Sequence, residues 1–128
     1  MNVDLSPDGR FIAACESSED PEVMIWDAKT GERIQTLRGH TDHQMEALAW
    51  APDSRVLVTG AWDDTVRVWD VDSEKQLQVL EGHTDDVMAV GVSHDARIIA
   101  SKAEDHTVRI WRCDHWSQVL SIKETCKI

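Results

Sequence analysis

The chain repeats itself, and the repeat limits what it can fold into. Gly39-His40-Thr41-Asp42 returns as Gly82-His83-Thr84-Asp85, 43 residues later. Asp64-Thr65-Val66-Arg67-Val68-Trp69-Asp70 returns 42 residues later as His106-Thr107-Val108-Arg109-Ile110-Trp111-Arg112. Glu22-Val23-Met24-Ile25-Trp26-Asp27 places an earlier Trp 43 residues before Trp69. The turn Ser6-Pro7-Asp8-Gly9-Arg10 matches Ala51-Pro52-Asp53-Ser54-Arg55 and Ser93-His94-Asp95-Ala96-Arg97. Independent anchors agree on one period and one order. Such a chain is a stack of one supersecondary unit, each copy burying its face on its neighbours.

The unit is made of strands. Short runs rich in Val, Leu, Ala and Trp cover 45–50, 56–60, 65–69 and 76–80, and then 87–92, 98–101, 107–111 and 118–122. Pro52-Asp53-Ser54, Asp63-Asp64 and Asp72-Ser73-Glu74 are turn clusters between them. Four short strands per period predict one four-stranded antiparallel sheet per repeat. Apolar residues fall on both faces of many strands, as in sheets covered on both sides. No stretch keeps a helical period. The 128 residues form a single repeat region, with approximate repeats 1–38, 39–81 and 82–122 and a tail 123–128.

Composition narrows the function classes. With 41% hydrophobic and 29% charged residues the chain is ordinary for a globular protein. Its net charge of −11 argues against general affinity for nucleic acid or anionic lipid, which needs clustered cations. No apolar run approaches the ~18 residues of a membrane helix. The first five residues show neither a basic nor an apolar region of a secretory signal. Cys15, Cys113 and Cys126 are odd in number and widely spaced. They suit a reducing intracellular compartment, cytoplasmic or nuclear, better than a disulfide framework.

A Gly-His near the start of a repeat, a Trp-Asp near its end and a period of this length resemble the WD-repeat family. The second repeat carries both Gly39-His40 and Trp69-Asp70. The third keeps Gly82-His83 and Trp111 but has Arg112 in place of Asp. The first keeps Trp26-Asp27 and starts too late for a Gly-His. The resemblance implies an all-β fold of β-propeller blades, here three four-stranded blades in an open arc rather than a closed ring. Met1 falls inside the first strand and no further Gly-His follows Ser121. The expectation is therefore a partial propeller that self-associates or belongs to a longer parent chain.

The resemblance also implies a buried polar chain in each blade: His40, Thr59, Asp63 and Trp69, then His83, Ser101, Asp105 and Trp111. Trp offers one donor, Ser or Thr both donates and accepts, neutral His does both, and a carboxylate ends the series. The set looks superficially like a Ser-His-Asp catalytic triad. Its recurrence, ending each time on Trp, favours a structural role. The first repeat departs from the pattern: Gly9 to Trp26 spans 17 residues, against 15 from Ser54 to Trp69 and from Ala96 to Trp111. Ala14 stands where Thr59 and Ser101 stand. Asp20 keeps the spacing of Asp63, within an acidic loop from Glu16 to Glu22 that reads as a solvated turn, with a variable contact loop as the alternative.

No metal or cofactor is expected. His40 and His43 have ligand spacing and Cys113 and His115 lie nearby, yet no CxxC accompanies them, and His40 is committed to its blade. Cys113 lacks a recognisable base, and no phosphate-binding motif occurs. Trp62, beside Asp63 in a turn, either anchors a partner or folds back onto a neighbouring blade. Asp85 and Glu104 are the accompanying contact candidates. The predicted function is a non-catalytic protein–protein interaction scaffold or adaptor. The alternative is a regulatory sensor segment of a larger signalling protein, which a nucleotide-binding module upstream would favour.

Overall fold

The computed structural model describes residues 3–16, 21–41, 44–73, 75–113 and 117–123. Twelve strands follow one another: β1 (Val3–Leu5), β2 (Phe11–Glu16), β3 (Glu22–Asp27), β4 (Arg33–Arg38), β5 (Met45–Trp50), β6 (Val56–Ala61), β7 (Val66–Asp70), β8 (Lys75–Leu80), β9 (Val87–Val92), β10 (Ile98–Ala103), β11 (Thr107–Arg112) and β12 (Ser117–Lys123). They form three four-stranded antiparallel meanders, β1–β4, β5–β8 and β9–β12. Among the described residues there is no helix. The chain is all-β, three blades side by side.

The strands start and stop for local reasons. In the β5–β6 turn, Ala51 N–H donates to Val56 O and Ser54 N–H to Ala51 O. Asp53 Oδ1 accepts from the N–H groups of Arg55 and Val56. The residue after the Asp or its neighbour must turn left-handed: φ is 74° at Gly9, 60° at Ser54 and 61° at Ala96. Only Gly takes that conformation without cost, so the second and third turns are strained relative to the first. Thr65, expected in a strand, instead caps the preceding turn. Its N–H and hydroxyl both bond Asp63 Oδ1, and β7 begins one residue later. The third and fourth strands of every sheet slip register at one place, next to Trp26, Trp69 and Trp111.

The sheets lie face on face. Ala13, Cys15, Val23, Ile25 and Leu37 of the first meet Met45, Trp50, Leu57, Trp69 and Val71 of the second. Val58, Val66, Val68 and Leu80 of the second meet Val87, Ile99, Ala103 and Trp111 of the third. Among the described residues, only the middle sheet has a sheet packed on each side. On the outer two, Val3, Leu5 and Ile34, and Ile98, Leu120 and Ile122, are exposed. The two-faced apolar pattern of the strands is thus best satisfied in the second blade, where Leu77 of β8 remains exposed.

Candidate interaction surface and its supporting hydrogen-bond chains

The second sheet holds a continuous buried polar series. Trp69 Nε1–H donates to Thr59 Oγ1 at 2.9 Å. His40 Nε2 lies 2.7 Å from the same hydroxyl, and His40 Nδ1 lies 2.8 Å from Asp63 Oδ2. The indole can only donate, so the hydroxyl accepts from it and gives its own proton to Nε2. Nδ1 then carries the ring proton and donates to the carboxylate. Thr41 N–H adds a 2.9 Å bond to Asp63 Oδ2. The third sheet repeats the series. Trp111 Nε1–H to Ser101 Oγ is 2.9 Å, His83 Nε2 to Ser101 Oγ 2.7 Å and His83 Nδ1 to Asp105 Oδ2 2.9 Å. Thr84 N–H donates to Asp105 Oδ2 at 3.0 Å.

Electrostatics match this geometry. Burial pushes the Asp63 carboxyl upward, but the His40 ring, the Thr65 hydroxyl and the Thr41 N–H outweigh it and hold it well below the ordinary carboxylate range. For Asp105, burial is outweighed by the Thr107 hydroxyl, the Thr84 N–H and His83 in the same way. Thr59, His40, Ser101 and His83 are all buried. Each hydroxyl is engaged on one side by an indole and on the other by an imidazole, out of reach of any substrate. The triad-like residue set therefore works as a tie. It joins the segment ahead of β5 to strands β6 and β7 and to the turn between them.

Sequence reasoning passed over two repeated parts of this tie. Thr65 and Thr107 each bond the terminal Asp, and their identity at matching positions was the available signal. Gly39 lies flat on the Trp69 ring: a Cβ there would sit 2.7 Å from the indole. Beside it, Arg67 Nη1 donates to Gln76 Oε1 at 2.8 Å, and Arg109 and Gln118 repeat the pair. The first sheet is built differently. Ala14 pairs with Met24 at the register where Thr59 pairs with Arg67, so Trp26 finds no hydroxyl there. Asp20, Asp42, His43, Asp114, His115 and Cys126 lie outside the described residues. Cys15 is buried, and that burial pushes its thiol up to about 12, far from a reactive thiolate.

The tied ends of the second and third sheets form one surface. Trp62 is 37% exposed, and its N–H donates to Gln44 O at 3.0 Å. Glu104, at the matching position, is exposed, and its N–H donates to Asp86 O at 2.8 Å. The carboxylates of Asp64, Asp85 and Asp86 lie within 4.8 Å of one another. The β6–β7 turn of the second sheet therefore abuts the segment between β8 and β9 of the third. Trp62, Asp85 and Glu104 share this end of the blades with Asp64 and Asp86.

Comparison with known proteins agrees with this architecture. The family model for the WD domain, G-beta repeat, matches residues 1–27, 31–70 and 74–112. WD repeat-containing protein 1 of Bos taurus is 39% identical over 65 residues, 49% of this chain and 10% of its own length. Periodic tryptophan protein 2 homolog of Neurospora crassa is 36% identical over 61 residues, 48% of this chain and 7% of its own length. Cell division cycle 20.1, cofactor of APC complex, of Arabidopsis thaliana is 31% identical over 62 residues, 48% of this chain and 13% of its own length. The chain thus spans about a tenth of the relatives it matches. WD repeats generally mediate protein–protein contact, and their propellers are generally not catalysts. With three repeats matched by the family model, three four-stranded blades and the Trp-centred polar series in two of them, the chain belongs to the WD-repeat family.

Proposed function

We propose that this chain is a rigid, non-catalytic platform for protein–protein recognition, a scaffold or adaptor element acting inside the cell. The supporting observation is the exposed Trp62 immediately beside the firmly held Asp63. An exposed aromatic on a pre-ordered turn costs little conformational entropy on binding, and Trp is the residue type that most often dominates interface energetics. The surrounding Asp64, Asp85, Asp86 and Glu104 favour a partner patch carrying Lys or Arg, acting chiefly on association rate and salt dependence. The net charge of −11 argues against nucleic acid as the partner. The buried thiol of Cys15, in no disulfide, fits a reducing compartment. One relative is named a cofactor of a complex, a role in an assembly that accords with this reading.

The test is quantitative capture of protein partners by the parent protein, wild type against Trp62→Ala. The variant should bind about 30-fold more weakly, corresponding to about 2 kcal/mol. Its melting temperature should change little, because Trp62 belongs to neither apolar core cluster. Equal capture by both proteins, with equal melts, removes Trp62 as the anchor.

A further inference from the structure

The two junctions between sheets are built from matching positions but are not filled alike. Between the first and second sheets, Phe11 and Trp50 stack with ring centroids 6.1 Å apart and planes 17° apart. The matching positions between the second and third sheets are Val56 and Val92. The match follows from register: Phe11 and Val56 each accept the turn N–H bond at the start of the second strand. Trp50 pairs with Leu57 as Val92 pairs with Ile99. Two aromatic side chains have become two valines, and the space is not recovered. A cavity of about 220 Å³ lies there, walled by Val56, Val58, Val92, Ile99 and Cys113. Val58 in place of Ala13 refills only a small part.

The mouth of this cavity also differs. At the first junction Asp8 N–H donates to Ser54 Oγ at 3.1 Å and ties the two turns together. The residue matching Ser54 in the third sheet is Ala96, which has no hydroxyl, and Ala96 stands at the cavity wall. Leu77, 41% exposed, stands at the rim. Apolar cavities of about 150 Å³ stay dry and take up a benzene-sized molecule. This one is larger, and its sister site shows which shape fits.

We propose that this inter-blade cavity is a docking pocket for a single aromatic side chain, Trp or Phe, of a partner polypeptide. The guest takes the place that Phe11 and Trp50 take at the first junction. The pocket opens beside the β5–β6 and β9–β10 turns, at the opposite end of β6 from Trp62. It is thus a second contact point that does not depend on Trp62.

The probes are N-acetyl-tryptophan amide, which carries the side chain on a neutral backbone, and free indole. Methyl NMR of the full chain should show saturable shifts at Val56, Val92 and Ile99 with both probes in the millimolar range, and none at Ala13 or Leu57. Val56→Phe, which rebuilds half of the sister filling, should abolish the shifts at Val92 and Ile99. Its melting temperature should stay equal to or above wild type. Should that variant fail to fold, Ala96→Ser gives the same reading by narrowing the mouth and weakening probe binding at least threefold. Shifts with indole alone would overturn the side-chain proposal in favour of a small-molecule site. Absence of shifts with either probe up to its solubility would overturn the pocket. Shifts that appear without probe as protein concentration rises, and vanish in Val56→Phe, would assign the site to a second copy and overturn the partner. Trp62→Ala should leave all these shifts unchanged, so failure here and failure of the Trp62 anchor are separate results.

Discussion

The first and second sheets share a plan but hold their tryptophans differently. Both are four-stranded meanders with the same turn and the same register slip beside the Trp. In the second, Trp69 is buried, its N–H is taken by Thr59, and Gly39 lies on its ring. In the first, Trp26 is half-buried and Ala14 offers it nothing polar. Yet the first sheet forms, with Ala13, Cys15, Val23 and Ile25 fully buried against its neighbour. Strand pattern and turn chemistry therefore suffice for the meander. The polar chain does something else: it fixes the segment before β5 and the β6–β7 turn relative to the blade. That turn carries Trp62. The tie therefore also orders the turn that presents Trp62.

The largest test of this contrast is the tryptophan itself. Trp69→Ala and Trp111→Ala each remove a buried ring and orphan a hydroxyl, so each should cost about 3–5 kcal/mol in chemical unfolding. Trp26→Ala, half-exposed and outside any polar chain, should cost clearly less. Equal losses at positions 26 and 69 would mean that the chain adds nothing beyond ring packing. Next in size is the far end of the tie. Asp63→Ala and Asp105→Ala remove the close acceptor of a buried imidazole N–H, leaving it only the longer contact to Thr65 or Thr107 Oγ1 at 3.4 or 3.2 Å, and should cost about 1–3 kcal/mol each. Asp20→Ala should cost much less, because Ala14 stands in the first blade where the others carry Thr59 and Ser101. An Asp20 variant as damaging as the Asp63 variant would refute the reading of the first blade.

What could be read in the sequence was what recurs. Strand positions, the Pro-Asp turn and the residues His40, Thr59, Asp63 and Trp69 each stand at one offset from a second copy, so their roles could be compared within the chain. Thr65 and Thr107 carried the same signal, but a Thr after two polar turn residues reads equally as the first residue of a strand. The Phe11–Trp50 stack and the bonds from Trp50 N–H and Nε1–H to Asp4 carry no such signal. They join residues of adjacent sheets, and their counterparts Val56, Val92 and Ala49 are of other types. Exposure of Trp62 was equally hidden, because it depends on what the neighbouring sheet covers. Cross-sheet packing is a property of pairs of repeats, and one repeat read alone does not contain it.

The smallest expected effect is in acid. Asp63 and Asp105 are held below the ordinary carboxylate range when folded and return to about 3.9 when unfolded. A depressed folded value means that the folded state favours the charged form. The resulting stability is complete above the unfolded value and is lost as pH falls through the folded one. Melting temperature should therefore be flat from neutrality to about pH 5 and fall below about pH 4. Asp8, Asp27 and Asp95 are also lowered, by hydrogen bonds within their turns, and Asp70 by the Arg55 guanidinium that bonds it; all contribute to the same decline. Asp63→Asn keeps the size of the side chain and cannot titrate. Its melting temperature should start lower at pH 7 and fall less steeply between pH 4 and pH 2 than that of wild type. Asp27→Asn, in the first blade, removes only hydrogen bonds within a turn, so its acid slope should change less than that of Asp63→Asn. Parallel acid slopes for Asp63→Asn and wild type would mean that the second blade's tie carries no special share of the pH dependence, and that its carboxylate is no more strongly held than those of the turns.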